Sequence, residues 1–478
     1  EGNGSAILMG GGANGGYGPK LENLCITQNY GGAIKSFGST FSLKNSRIIN
    51  NHDWGIGFQY LQLSTLDNVI ISGNQGMGVF IESSGASPVF NNVTISNNVG
   101  GDGAGVRCKD QASPTFTNCV ISNNTATGSG GGIYSENSSV LIENSYINNN
   151  TSQNGQGGGI YSTTSITYLI GSIVNDNESI GDYGGGIYNT SGQFNIIEST
   201  IQANSTNTNA GGIFSEGYLY ISRSRIVNNY AGNLTGGVEI CCSMTAEIYN
   251  TVIANNNSGN GLVDGIHLNG GAGHLTLKNS ILWNSGDSEI LFDEEVSGPW
   301  DVNIEYSTIK NGQDGIEDNG YSYVWGDGNI TADPLLEGGH TLGEESPAID
   351  AGNPHAYFYD CDGTPNDMGF TGGCGINVTD TDLDFGFVAV GDTKTETITV
   401  HSNKNYGGST ISIATFDDDQ FSLNTSLPIE VEQYSKSQVE INFSPVSFGT
   451  QSGIMSLENI NPGFSGESGE FTLSGNGF

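Results

Sequence analysis

The chain has 478 residues, room for roughly two to four domains, and its 74 glycines follow no three-residue period, which excludes a collagen-like rod. Thirteen Lys and Arg against 50 Asp and Glu leave a formal net charge of −37, which argues against nucleic acid, anionic membranes and polyanionic glycans as partners. There is no run of 18 apolar residues, so membrane insertion is not expected, and the acidity suits a secreted surface or a binder of divalent cations.

In chain order, the first signal is a repeat. Nine-residue phrases begin at Leu21, Leu43, Leu66, Phe90, Phe116, Ile142, Leu169, Ile196, Ile221, Ile248, Leu277 and Ile304, about 26 residues apart on average. Typical copies read FTNCVISNN and IENSYINNN. Between them lies a Gly-led phrase: GGAI from Gly31, GGGIY from Gly130, Gly157 and Gly184, GGIF from Gly211 and GGV from Gly236. These segments are too short and too Gly-punctuated for helices. One period predicts one coil of a parallel β-helix, with backbone hydrogen bonds running from coil to coil. The sixth position, Ile147, Val174, Ile201 and Ile226, is expected to stack inward. The ninth is Asn in ten copies, from Asn29 to Asn256, and reads as a ladder of corner asparagines. The pattern loosens after Leu277, where Ser285 and Gly312 replace the ninth Asn. The predicted organisation is an all-β chain: a right-handed parallel β-helix of roughly twelve coils over 1–335, a closing segment over 336–377, and an Ig-like β-sandwich of about seven strands over 378–478.

Residues 21–312, with these phrases, resemble the right-handed parallel β-helix repeat family, and the GGAI/GGGI phrases resemble repeats of polymorphic outer-membrane adhesins. SPAIDAGNP from Ser346 and DCDGTPNDMGFTGG from Asp360 resemble the closing module of choice-of-anchor β-helix proteins. LDFGFVAVG from Leu383, VEINFSPVSFGT from Val439 and EFTLSGNGF from Glu470 resemble Ig-like domains of the abnormal-spindle and hydin type. These resemblances imply a protein secreted to the extracellular space or anchored on a bacterial surface, with the sandwich as a spacer or interaction module. Beginning inside strand-like sequence, the chain reads as a mature or truncated product.

Among candidate sites, Tyr134, Tyr161, Tyr188 and Phe214 follow the Gly-led phrase on consecutive coils. Alternation places Ile133, Ile160, Ile187 and Ile213 inward and the rings outward. Such a stripe either binds a glycan or a surface protein, or stabilises the sheet by stacking along it. Asp360, Asp362 and Asp367, around a Gly turn, resemble a Ca²⁺ loop; the other reading is an Asx turn pinned by a Cys361–Cys374 disulfide. Cys108 and Cys119 form a second candidate pair, and Cys25 reads as a small buried hydrophobe. Arg223 and Arg225 are expected on one solvated face.

A catalytic centre is not expected. The phrases of pectinase-like hydrolases are missing from the β-helix region, and the basic residues a lyase needs are scattered. The carboxylates Asp53, Asp102, Asp182, Asp293, Glu294, Glu295, Asp314, Glu317 and Asp318 share no motif. His52–Asp53–Trp54 is the most site-like triplet, and Asp293–Glu295 the most plausible catalytic run. The expected function is an adhesin or scaffold presenting a β-helix face, with a carbohydrate-active enzyme and a filament subunit docking on neighbouring copies of itself as alternatives.

Overall fold

The structure is a computed structural model. It describes residues 5–10, 17–60, 63–242, 244–293, 298, 300–354, 360, 364–372, 376–378, 382–402, 409–431, 435–459 and 468–477. It is all-β; the one helical element among the described residues is a 3₁₀ turn at Gly312–Gly315. The chain divides into two compact units, Glu1–Thr341 and Leu342–Phe478.

The first unit is a parallel β-helix of about eleven turns. Each period contributes strands to successive parallel sheets, including a ribbon of two-residue strands from Val99–Gly100 to Asn257–Ser258. The register follows the repeat residue by residue. Ile147 pairs with Val174, Val174 with Ile201 and Ile201 with Ile226, and all four are fully buried, as the phrase predicts. Phe41, Phe58, Phe90 and Phe116 fill the core of the earlier coils, with ring centroids 4.5–6.0 Å apart.

The corners differ from expectation. The left-handed residues are the third and eighth of each phrase, such as Asn118 (φ 54°) and Asn123 (φ 55°), not the ninth. Asn tolerates this conformation best, yet Asp176, Glu198, Ala203 and Arg223 also adopt it, because the coils above and below fix the turn. The ninth Asn is buried. Asn150 donates through Nδ2 to Asn177 Oδ1 (3.0 Å) and to the Ile121 carbonyl (2.9 Å), and its own Oδ1 accepts Nδ2 of Asn124 (2.9 Å). Each amide thus bridges three coils. The ladder is unbroken from Asn29 through Asn256 and continues one coil further to Asn284, the eighth residue of its phrase. That copy lacks the left-handed corner residue, so Asn284 moves into the ladder position that Ser285 was expected to vacate.

The ladder ends on a carboxylate. Buried Glu289 accepts the Asn284 backbone N–H and Nδ2, both at 2.7 Å. Burial pushes its pKa up to about 7 from 4.5, partly offset by the Asn284 bonds. A carboxyl group suits the last rung, because both of its oxygens can accept and the ladder's amides all donate in the same direction.

The second unit contains two sheets. One joins Ile376–Val378, Lys394–Ser402, Ser435–Phe443 and Phe421–Leu423; the other joins Asp382–Val388, Ser468–Gly477, Gly449–Asn459, Ser409–Phe416 and Ile429–Val431. Pairing is antiparallel except between Asp382–Val388 and Ser468–Gly477. Phe385, Ile398, Phe421, Ile441, Phe443 and Leu473 form its core. This arrangement is compatible with an Ig-like sandwich, with nine strands where the sequence suggests about seven.

Candidate binding face on the β-helix

The face begins with the Gly-led turn. Gly157 is left-handed (φ 65°), and a Cβ on Gly159 would lie 2.6 Å from the Gly186 carbonyl oxygen of the next coil. Only glycine lets these turns touch, and their contact sets the strands that follow at matching heights. Tyr134, Tyr161, Tyr188 and Phe214 therefore align rung on rung. Their rings stack at 4.9, 5.4 and 5.0 Å with interplanar angles of 7° or less. A fifth ring, Tyr183, arrives from the preceding loop and stacks on Phe214 at 4.8 Å.

This geometry revises the expected sugar platform. Parallel stacking consumes the inner ring faces, so the column offers edges along its length and faces only at its ends. Tyr134 and Tyr161 are half-buried, whereas Tyr188 and Phe214 are only 5% and 3% exposed. The Tyr134 hydroxyl donates to Glu136 at 3.0 Å, and burial and that carboxylate hold its phenol well above the ordinary range.

The two ends of the stack differ chemically. On the N-terminal side the Lys109 ammonium lies 5.3 Å from the Tyr134 ring and pairs with Glu136 at 2.6 Å, and Arg107 pairs with Glu82 at 3.5 Å. Lys35 sits over Phe37 at 4.6 Å, near Trp54 and Phe80. On the C-terminal side the ring position is taken by Glu239 and then His267. Both are buried, with Glu239 Oε1 3.6 Å from His267 Nδ1 and accepting Nδ2 of Asn269 at 2.8 Å. Glu239 Oε2 and His267 Nδ1 have no hydrogen-bond partner. Two residues beyond the ring position Phe214, Glu216 accepts the Thr190 hydroxyl at 2.9 Å, and the next coil places Cys241 in the neighbouring position. Cys241 and Cys242 form a disulfide, so the sulfurs near the Glu216 carboxylate are not available as thiolate ligands.

Several expectations are corrected. Cys108 and Cys119 are free thiols in the core, not a disulfide; burial pushes the Cys119 thiol up to about 11, and its sulfur faces the Phe90 and Thr117 carbonyls. Cys25 is exposed because its position alternates outward, in register with Arg47. Arg223 and Arg225 do not share a face: left-handed Arg223 pairs with Glu198 at 3.3 Å, while Arg225 donates to the Gly339 carbonyl at 2.7 Å. The His52 triplet separates. His52 stacks on Tyr30 at 4.8 Å, beside an open depression of about 610 Å³, whereas Trp54 packs edge-on against Phe80 and Asp53 is exposed.

Asp102 accepts the Ser129 backbone N–H of the next coil, and Asp318 accepts that of Gly320 within its own turn. Asp360 accepts the Asp367 N–H at 2.9 Å, and Asp367 that of Asp350. Asp362, Cys361, Cys374, Glu294 and Glu295 lie outside the described residues. The sequence reading missed Glu239, His267, Glu216 and Tyr183. Glu239 and His267 stand in GGVEI and DGIHL where earlier coils carry rings, so extending the alignment would have found them.

Comparison with known proteins bears chiefly on the helix. Residues 2–119 match the family described as a right handed beta helix region. No curated protein matches the chain. Among solved structures, the chain is similar to the VesB protease of Vibrio cholerae at 13% identity and a TM-score of 0.19, over 21% of this chain and 32% of that one. It is also similar to PapD-like domain 7 of human CEP192 (13%, TM-score 0.17, over 22% and 85%). A third is WR4, a C. elegans MSP family member (11%, TM-score 0.17, over 22% and 98%). The chain thus spans about a third of the VesB chain. Likenesses at this level carry no functional argument.

Proposed function

We propose that this chain is an extracellular or cell-surface scaffold that binds a glycan on the ring-bearing face of its β-helix. One observation carries the reading: this outward column departs from repeat uniformity, running through three tyrosines and a phenylalanine and then into a buried Glu239–His267 pair. Beside the rings, Glu136, Thr163, Thr190 and Glu216 place one polar group on each coil, suited to a hydroxyl-rich chain. The choice-of-anchor and Ig-like resemblances of the C-terminal unit support display on a surface. Hydrolysis is a second reading, favoured by Glu216 and Glu239 lying diagonally on neighbouring strands of one face.

Affinity electrophoresis of the protein through gels holding neutral, amino and acidic polysaccharides tests the proposal. Retardation by at least one glycan, without new reducing ends, is the expected result. Free migration through all of them contradicts it, and release of reducing ends that Glu239→Gln abolishes would favour hydrolysis.

A further inference from the structure

We propose that the C-terminal end of the ring stack recognises a protonated amine, and that its ligand is an amino-sugar glycan; the second half rests on the glycan-binding reading above. Three carboxylates gather there. Asp182 immediately precedes Tyr183, Glu239 takes the ring position one coil beyond Phe214, and Glu216 lies on the Phe214 strand two residues on. Among the described residues none of the three forms an ion pair with Lys or Arg. At the other end of the same stack, by contrast, Glu82 and Glu136 each hold a basic partner.

Glu239 carries the most weight. Its carboxylate is fully buried, one oxygen lacks any hydrogen-bond partner, and the imidazole beside it is equally unpartnered at Nδ1. A buried carboxylate facing an imidazole that is charged only when protonated, 3.6 Å away, is costly to maintain, and a cationic ligand supplies charge that the neutral imidazole does not. Tyr183 supplies the other component. It is half-buried, and one face of its ring is used by Phe214, leaving the other at the end of the stack. Burial first, then the charges of Asp182, Glu239 and Glu216, raise its phenol. A ring stacked on Phe214, with Asp182 beside it in sequence and Glu239 in register with Phe214 on the next coil, combines the aromatic and anionic components that hold an organic ammonium.

A metal ion fits less well. It needs oxygen donors converging at about 2.3–2.6 Å. Among the described residues these three carboxylates do not form a set of ligand atoms within 4.8 Å of one another. That spacing accommodates a larger organic cation. The row Thr163–Thr190–Glu216 leads to this end, one polar group per coil, and can hold the hydroxyls of the sugar chain that carries the amine.

The test is calorimetric titration of the whole chain with a glucosamine oligosaccharide and with the same oligosaccharide N-acetylated, at a pH that keeps the free amines protonated. The free-amine form is expected to bind at least about tenfold more tightly. Glu216→Gln and Asp182→Asn, at partly exposed positions where folding is not at stake, should reduce it to the affinity of the acetylated form. Glu239→Gln should do the same. Equal binding of the two oligosaccharides would overturn amine recognition while leaving glycan binding intact. Binding of neither, with Glu216-dependent capture of a lysine-rich peptide, would overturn both the amino-sugar assignment and the glycan reading.

Discussion

Two columns follow the β-helix axis, the asparagine ladder along most of one corner and the ring stack over four coils of one face, and they end differently. The ladder closes on Glu289, which accepts both donors of Asn284. The ring stack runs into Glu239 and His267, where one oxygen and one nitrogen are left without partners. A repeat that serves only stability terminates by satisfying its last polar group. The ring column instead stops on buried polar atoms without partners, and the proposed binding role rests on that contrast.

The largest effect should come from breaking the ladder in its middle. Asn150→Ala strands the Asn124 donors and the Ile121 carbonyl inside the corner. Chemical denaturation should show a loss of about 3–4 kcal/mol. A loss below about 1 kcal/mol would mean that water readily replaces the ladder.

The cap makes a pH prediction. Glu289 has a pKa raised to about 7 in the folded protein, so the folded state binds the proton more tightly than the unfolded chain. Its stabilising contribution is full below about 4.5 and is lost as pH rises through about 7, an effect of about 3 kcal/mol. Denaturation midpoints across this window should fall more steeply for the wild type than for Glu289→Gln. Parallel curves would contradict the assignment.

Tyr161→Ala removes two stacked pairs, which should lower stability by about 1–3 kcal/mol, less than the ladder variant. The smallest effect belongs to Lys44→Ala. Its pair with Asp67 is exposed on both sides, and the change should stay within about 0.5 kcal/mol.

The β-helix was legible because its signal repeats: sixth-position Ile147, Val174, Ile201 and Ile226 follow one period and share one buried column. What escaped was local or non-periodic. The ladder position and the left-handed position are both usually asparagine, so composition alone could not separate them. Asn284 joins the ladder through the loss of one corner residue, which breaks the count by one. Cys108 and Cys119 are near in sequence, but both are committed to the core as small hydrophobes. Tyr183 reaches the stack from a variable loop, where no periodicity points to it. The columnar part of the face was therefore readable, and its chemically distinct end was not.

The central claim is that binding resides on the ring face and that the other faces are scaffolding. Tyr161 lies in the stack, and Tyr146 is 50% exposed on another strand column, in register with Val120 and Ile173. Affinity electrophoresis of Tyr161→Ala and Tyr146→Ala, in the glycan gel that retards the wild type, compares the two directly. Loss of retardation in Tyr161→Ala, with Tyr146→Ala migrating as the wild type does, is the predicted result. Unchanged retardation of Tyr161→Ala, or equal loss in both, would contradict the account.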